Sequence, residues 1–215
     1  MRLGQTSIIH FASRFLASIL GFISTVFIGR ILGPSGLGTY YLVLSMIAWL
    51  GILTKIGVPD AITKRVSEGE SKNAHTIAGV SISTGLFIIV AGCVLIFRDP
   101  VNNYIGYPAA EFVVLLLFVN IAQTLVNAVL KGQQLVHISG IFNPIRTGTR
   151  SVVQITALFA GLGIIGLFAG YAIGYALVVV LGTYIIVRKL DQISVPRRTH
   201  FQSIFSYAKF SWIGS

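Results

Sequence analysis

The chain of 215 residues carries 16 Lys and Arg against 6 Asp and Glu, so only 10% of it is charged while 54% is hydrophobic. Soluble domains carry about 25% charged residues, and this composition cannot cover a water-exposed surface. The net charge of +10 does not mark a nucleic-acid binder either, because the basic residues sit between long uncharged runs and not along one exposed face.

A helix needs about 20 mainly apolar residues to cross a hydrocarbon core of about 30 Å. The stretches free of Asp, Glu, Lys and Arg predict an all-α polytopic membrane protein with six spans, at residues 9–29, 39–55, 74–97, 110–131, 145–162 and 166–187. The first follows Arg2 as a signal peptide would, but no Ala-x-Ala cleavage site comes after it. Between the first two spans, Gly33, Pro34 and Gly36 predict an external turn, with neither the spacing of a phosphate loop nor that of a dinucleotide fold. The third span holds Cys93, the one cysteine, so no internal disulfide forms. In the fourth, Val113-Val-Leu-Leu-Leu-Phe-Val119 lacks the alternation of a transmembrane barrel strand. The uncharged run 151–187 would make a single helix of about 55 Å, so it must fold back, and Gly161, Gly163 and Gly166 mark the reversal. Gly166, Gly170 and Gly174 then let a neighbouring helix approach closely.

Residues 1–190 thus read as one six-helix lobe, and 191–215 as a cytoplasmic linker with an amphipathic lead-in. In that last segment Phe201, Ile204, Phe205, Ala208 and Trp212 share a helical face. It is either an interfacial tail or the start of a seventh span.

Lys and Arg accumulate on the cytoplasmic side of membrane proteins. With the N-terminus inside, that side holds Arg2, Lys55, Lys64, Arg65, Lys72, Lys131, Arg146, Arg150, Arg188, Lys189, Arg197, Arg198 and Lys209, against Arg30 and Arg98 outside. The expected location is the cytoplasmic membrane, with membrane lipids as partners of the basic face.

Polar residues inside the spans form three helical stripes: Arg14, Ser18, Gly21 and Thr25; Asn120, Gln123, Thr124, Asn127 and Lys131; and Arg146, Arg150 and Gln154. Such groups usually face a bundle interior or a wet cavity. Each stripe also has a purely structural reading. Arg14 can snorkel to the headgroups, the amides can hold helices together, and Arg146 and Arg150 can follow the positive-inside rule. Taken together they describe an inward-opening cavity for an anionic, polar solute, with guanidinium groups for phosphate oxygens and amides for sugar hydroxyls. The six acids lie in loops or at span edges, and the four histidines form no recognisable metal, cofactor or catalytic motif. The chain does not read as an enzyme.

The stretch Gly29-Arg-Ile-Leu-Gly-Pro-Ser-Gly-Leu-Gly-Thr-Tyr-Tyr41, followed after an apolar span by Lys55-Ile-Gly-Val-Pro-Asp-Ala-Ile-Thr-Lys-Arg65, resembles the polysaccharide and oligosaccharide flippase family. That family lies within the superfamily of multidrug, oligosaccharidyl-lipid and polysaccharide exporters. The resemblance implies two six-helix lobes around a central cavity that moves a lipid-linked sugar diphosphate to the outer leaflet by alternating access. Only one lobe is recognised here, which implies a fragment or a second chain that supplies the other. The expected substrate-binding residues are Arg14, Asn120, Gln123, Asn127, Lys131, Arg146, Arg150 and Gln154. A drug or cation exporter of the same superfamily would want a carboxylate within the lobe. A membrane scaffold subunit would need no second lobe at all.

Overall fold

The computed structural model describes residues 3–69, 71–189 and 196–213, with side chains described at 11, 15, 18–69, 71–189 and 196–208. Eight helices follow one another: α1 (Leu3–Lys55), α2 (Val58–Ser67), α3 (Lys72–Ile96), α4 (Arg98–Ile105), α5 (Ala110–Gly132), α6 (Val136–Phe159), α7 (Gly163–Arg188) and α8 (Arg198–Ile213). There is no strand among the described residues.

Among the described residues, four helical stretches are long and apolar enough to cross a membrane: Ser18–Lys55, Lys72–Ile96, Ala110–Gly132 and Gly163–Arg188. Phe22, Trp49, Ile96 and Phe159 are 71%, 74%, 78% and 73% exposed, and a surface of such side chains belongs in lipid. The protein is a multi-pass membrane protein.

α1 is a hairpin. Its backbone breaks at Gly33 (φ 71°, ψ −179°) and Pro34 opens the second half, where a missing N–H costs nothing because the first turn has no intrahelical acceptor for it. Thr25 and Tyr41, 16 residues apart, have hydroxyls 3.2 Å from each other, whereas a straight helix would separate them by about 24 Å. The turn expected between the first two spans is thus narrowed to one glycine in a left-handed conformation that L residues rarely adopt.

The second half of α1 ends at Lys55, and Ile56 (φ 30°) and Gly57 (φ 69°) turn the chain into α2. Here the loop expected after the second span is a helix that stays against the bundle. Val58, Ala61, Ile62 and Val66 are buried, and the Thr63 hydroxyl donates to the Ala128 carbonyl of α5 at 3.1 Å. At the other end of the bundle, Asn102 of α4 accepts from the backbone N–H groups of Ala109 and Ala110 (2.8 and 2.9 Å). This satisfies two donors at the start of α5 that have no partner within the helix.

α6 starts at Val136, well before the expected 145, and carries Pro144 in its interior. Neighbouring helices make such a proline tolerable in a membrane bundle. α6 lies between α1 and α7. After Phe159 a short turn with Gly161 (φ 78°) and Gly163 (φ 54°) sends the chain back as α7, as the glycine pattern predicts. α8 packs on α2 and α3, with the His200 ring edge-on to His75 (centroids 4.8 Å apart) and Lys64 over the Tyr207 ring at 4.5 Å. A side chain at Gly57 would overlap the Ala208 carbonyl, so the glycine that bends α1 into α2 also admits α8.

Candidate functional site

The glycine stripe of α7 sets the geometry of the bundle's polar interior. A Cβ at Gly166 would stand 2.6 Å from the Ala157 Cβ. One at Gly170 would overlap Gln154, and one at Gly174 would stand 2.9 Å from the Arg146 carbonyl oxygen and from the Arg150 Cβ. Without side chains there, α6 lies directly on α7, and its Arg146, Arg150 and Gln154 stripe meets Tyr171 and Tyr175, which follow Gly170 and Gly174 by one residue each.

Arg150 is held by rings. Its guanidinium carbon lies 5.6 Å from the centre of Tyr40 and 5.3 Å from that of Tyr171, within the reach of a cation–π attraction. No hydrogen bond to another described residue engages it. Arg146 lies 4.7 Å over Tyr175, donates to the Asn143 amide oxygen at 2.7 Å and makes a long contact of 3.5 Å with the Gln123 amide oxygen. Tyr171 and Tyr175 stack on each other at 4.2 Å. A third cation closes the group: the Lys55 ammonium donates to the Asn120 Oδ1 at 3.0 Å, and the Asn120 amide nitrogen donates to the Tyr171 hydroxyl at 3.1 Å.

Every partner found for Lys55, Arg146 and Arg150 is neutral: amide oxygens and aromatic rings. The described acids Asp60, Glu68, Asp99 and Glu111 are all exposed, and the ion pairs formed among the described residues, Arg65–Glu68 and Arg98–Asp99, lie elsewhere. Positive charge left uncompensated beside rings and amides suits a multiply charged oxyanion, for which a guanidinium offers a fixed fork of donors. Among the described residues, no three His, Cys, Asp or Glu side chains gather to hold a metal ion.

The structure therefore brings Asn120, Gln123, Arg146, Arg150 and Gln154 together. Gln154 is 1% exposed, and its amide nitrogen donates to the Tyr40 hydroxyl and the Leu167 carbonyl, both at 2.9 Å. It ties three helices together. Asn127 is spent on Ser139, which donates to it at 3.3 Å, and Lys131 is exposed at the end of α5. The Arg14 side chain lies outside the described residues. The stripe reading missed Tyr40, Lys55, Asn143, Tyr171 and Tyr175. The tyrosine pair carried one signal, a four-residue spacing in register with the glycines. Lys55 carried none, because it stands at the end of an apolar run where a basic loop residue is expected.

Fold and cluster together define a helical membrane protein with a cationic and aromatic interior, in which no described acid pairs with Lys55, Arg146 or Arg150. Residues 3–213 match the profile of the family described as polysaccharide biosynthesis protein, and the chain belongs to that family. It is 23% identical over 214 residues to the "Probable flippase AglR" of Haloferax volcanii, covering 99% of this chain and 44% of that protein. It is 24% identical over 215 residues to the "Probable low-salt glycan biosynthesis flippase Agl15" of the same organism, covering 100% of this chain and 45% of that protein. "Stage V sporulation protein B" of Bacillus subtilis is 29% identical over 100 residues, 44% of this chain and 19% of that protein. The chain thus spans less than half the length of the curated relatives it matches. No solved structure matches it.

Proposed function

We propose that this chain forms one lobe of a flippase that moves a lipid-linked sugar diphosphate across the cytoplasmic membrane. The two halves of α1 with α3, α5, α6 and α7 make six spans, the N-terminus is cytoplasmic, and α8 leads into a seventh span towards a second lobe. The diphosphate binds at Arg146, Arg150 and Lys55. The half-buried Asn120 and Asn143 amides of the cluster hydrogen-bond sugar hydroxyls, and the lipid tail stays in the bilayer. Rocking of this lobe against its counterpart then opens the cluster to either side. No step breaks a covalent bond, in keeping with the absence of a catalytic motif in the sequence.

The observation that carries this reading is the set of three interior cations whose partners are all neutral. It also disfavours a cation exporter, since these charges repel a cationic substrate. The test replaces Arg146 and Arg150 together by Gln in the full-length protein, in cells whose surface glycan depends on it. The expected result is loss of the glycan at normal protein level, with the lipid-linked precursor accumulating. Normal surface glycan would refute the assignment.

A further inference from the structure

α3 and α7 both pack on α5 and leave a groove between them of about 340 Å³, lined by Val80 and Phe87 of α3, Phe118, Ala122 and Val126 of α5, and Val179 of α7. These α5 residues face away from Asn120, with Gln123 on the flank between, so the groove opens on a different side of α5 from the Lys55–Asn120 pair. Its walls are almost wholly apolar, as a lipid-facing surface requires. An open apolar groove of this kind does not stay empty in a bilayer.

The charge at one end says what fills it. The groove runs along the end of the bundle where α3 begins and α5 and α7 finish. Lys72 stands one helical turn before the groove residue Thr76, in the same stripe, and Lys189 follows the groove residue Ile186 by three positions. Both lysines are exposed, and no ion pair among the described residues engages either. The contact of His200 with His75 brings the start of α8, with the exposed Arg197 and Arg198, to the same end. In the sequence Glu70 and Asp191 each stand two residues from one of these lysines, against Lys72, Arg188, Lys189, Arg197 and Arg198, so basic residues outnumber acids in the segments at this end; Glu68 is paired with Arg65 at 2.8 Å.

We infer that this groove is a binding site for an anionic phospholipid, one acyl chain lying between α3 and α7 and the phosphate resting at Lys72 and Lys189. Basic residues beside a membrane surface attract anionic headgroups, and the effect falls off within a Debye length. The selectivity must therefore come from the residues at the groove's own mouth.

The test is quenching of a tryptophan by lipids brominated on the acyl chain. In the full-length protein with its other tryptophans replaced by Phe, Thr84→Trp places the probe in the groove, and Val80→Trp is a second probe should the first misfold. Trp49, 74% exposed on α1, serves alone as the reference for ordinary surrounding lipid. Reconstitution is into phosphatidylcholine vesicles doped with a low, equal fraction of brominated phosphatidylglycerol or brominated phosphatidylcholine. The groove probe should favour phosphatidylglycerol by roughly fivefold or more, Trp49 should show no such preference, and Lys72→Gln with Lys189→Gln should abolish it. Equal quenching by the two lipids at the groove would overturn the inference in favour of unselective lipid. No quenching by either would overturn it in favour of a protein segment covering the groove.

Discussion

Gly174 of α7 faces Arg150 of α6 so closely that a Cβ on the glycine would stand 2.9 Å from the Cβ of the arginine. The packing contact and the candidate binding residue are thus one feature. A side chain at 174 would push α6 away and carry Arg150 off the Tyr40 and Tyr171 rings. Gly174→Leu should cost about 1–3 kcal/mol by overpacking, read as a lowered midpoint of thermal unfolding in detergent. It should also lower transport in the protein that remains folded. An unchanged midpoint would mean that the helices do not pack this way.

Lys55 and Asn120 give a second prediction. Hydrogen bonds to charged groups are worth about 1.5–3 kcal/mol, and leaving an ammonium without its acceptor in a membrane interior is costly. Asn120→Leu and Lys55→Met should therefore be non-additive, with the double variant more stable than the sum of the single losses by about 1–3 kcal/mol. Unfolding of the four proteins in detergent measures this directly, and strict additivity would break the pair.

Arg150 is held by two rings, and a lysine there would keep the charge but lose the planar group that stacks on them and forks towards phosphate. Arg150→Lys should retain folding and expression and lose most transport. At Lys131, which is exposed at the end of α5, the change to Gln should leave transport unaltered. Equal activity of R150K and wild type would reduce the role of Arg150 to its charge alone.

The exposed Arg65–Glu68 pair supplies a pH prediction. The hydrogen bond from Arg65 holds the Glu68 carboxyl below the usual range. A carboxyl lowered in the folded state contributes stability that is complete at neutral pH and is lost as pH falls through the lowered value. Glu68→Gln should thus be slightly less stable than wild type at pH 7, and the difference should vanish in acid. Because the pair is exposed, salt should shrink it as well. Thermal midpoints of both proteins across an acid titration test the sign.

Much of this fold is legible in the sequence because the membrane permits few alternatives. Uncharged length marked the four stretches long and apolar enough to cross a membrane, Gly33 with Pro34 marked the hairpin of α1, and Gly161 and Gly163 marked the reversal before α7. Half of the cluster was legible for the same reason, since Arg146, Arg150 and Gln154 stand four apart and cannot avoid sharing a face. The other half depended on backbone turns that no periodicity reveals. Ile56 and Gly57 bend the chain so that α2 stays against the bundle, which leaves Lys55 facing Asn120 where a loop lysine was expected. Tyr171 and Tyr175 lie in a run so apolar that their hydroxyls and ring faces do not stand out. Conversely, Asn127 carried the same signal as Asn120 but lies lower on α5, where Ser139 claims it.

If Lys55, Arg146 and Arg150 hold the diphosphate of a lipid-linked glycan as it crosses the bilayer, their removal must stop that movement. The most direct measurement is the movement of a fluorescent polyprenyl diphosphate sugar from one leaflet to the other, in vesicles containing the full-length protein. The wild type should move it, R146Q/R150Q should not, and inorganic diphosphate should compete with the wild type. Movement by the double variant at the wild-type rate, insensitive to diphosphate, would contradict the account.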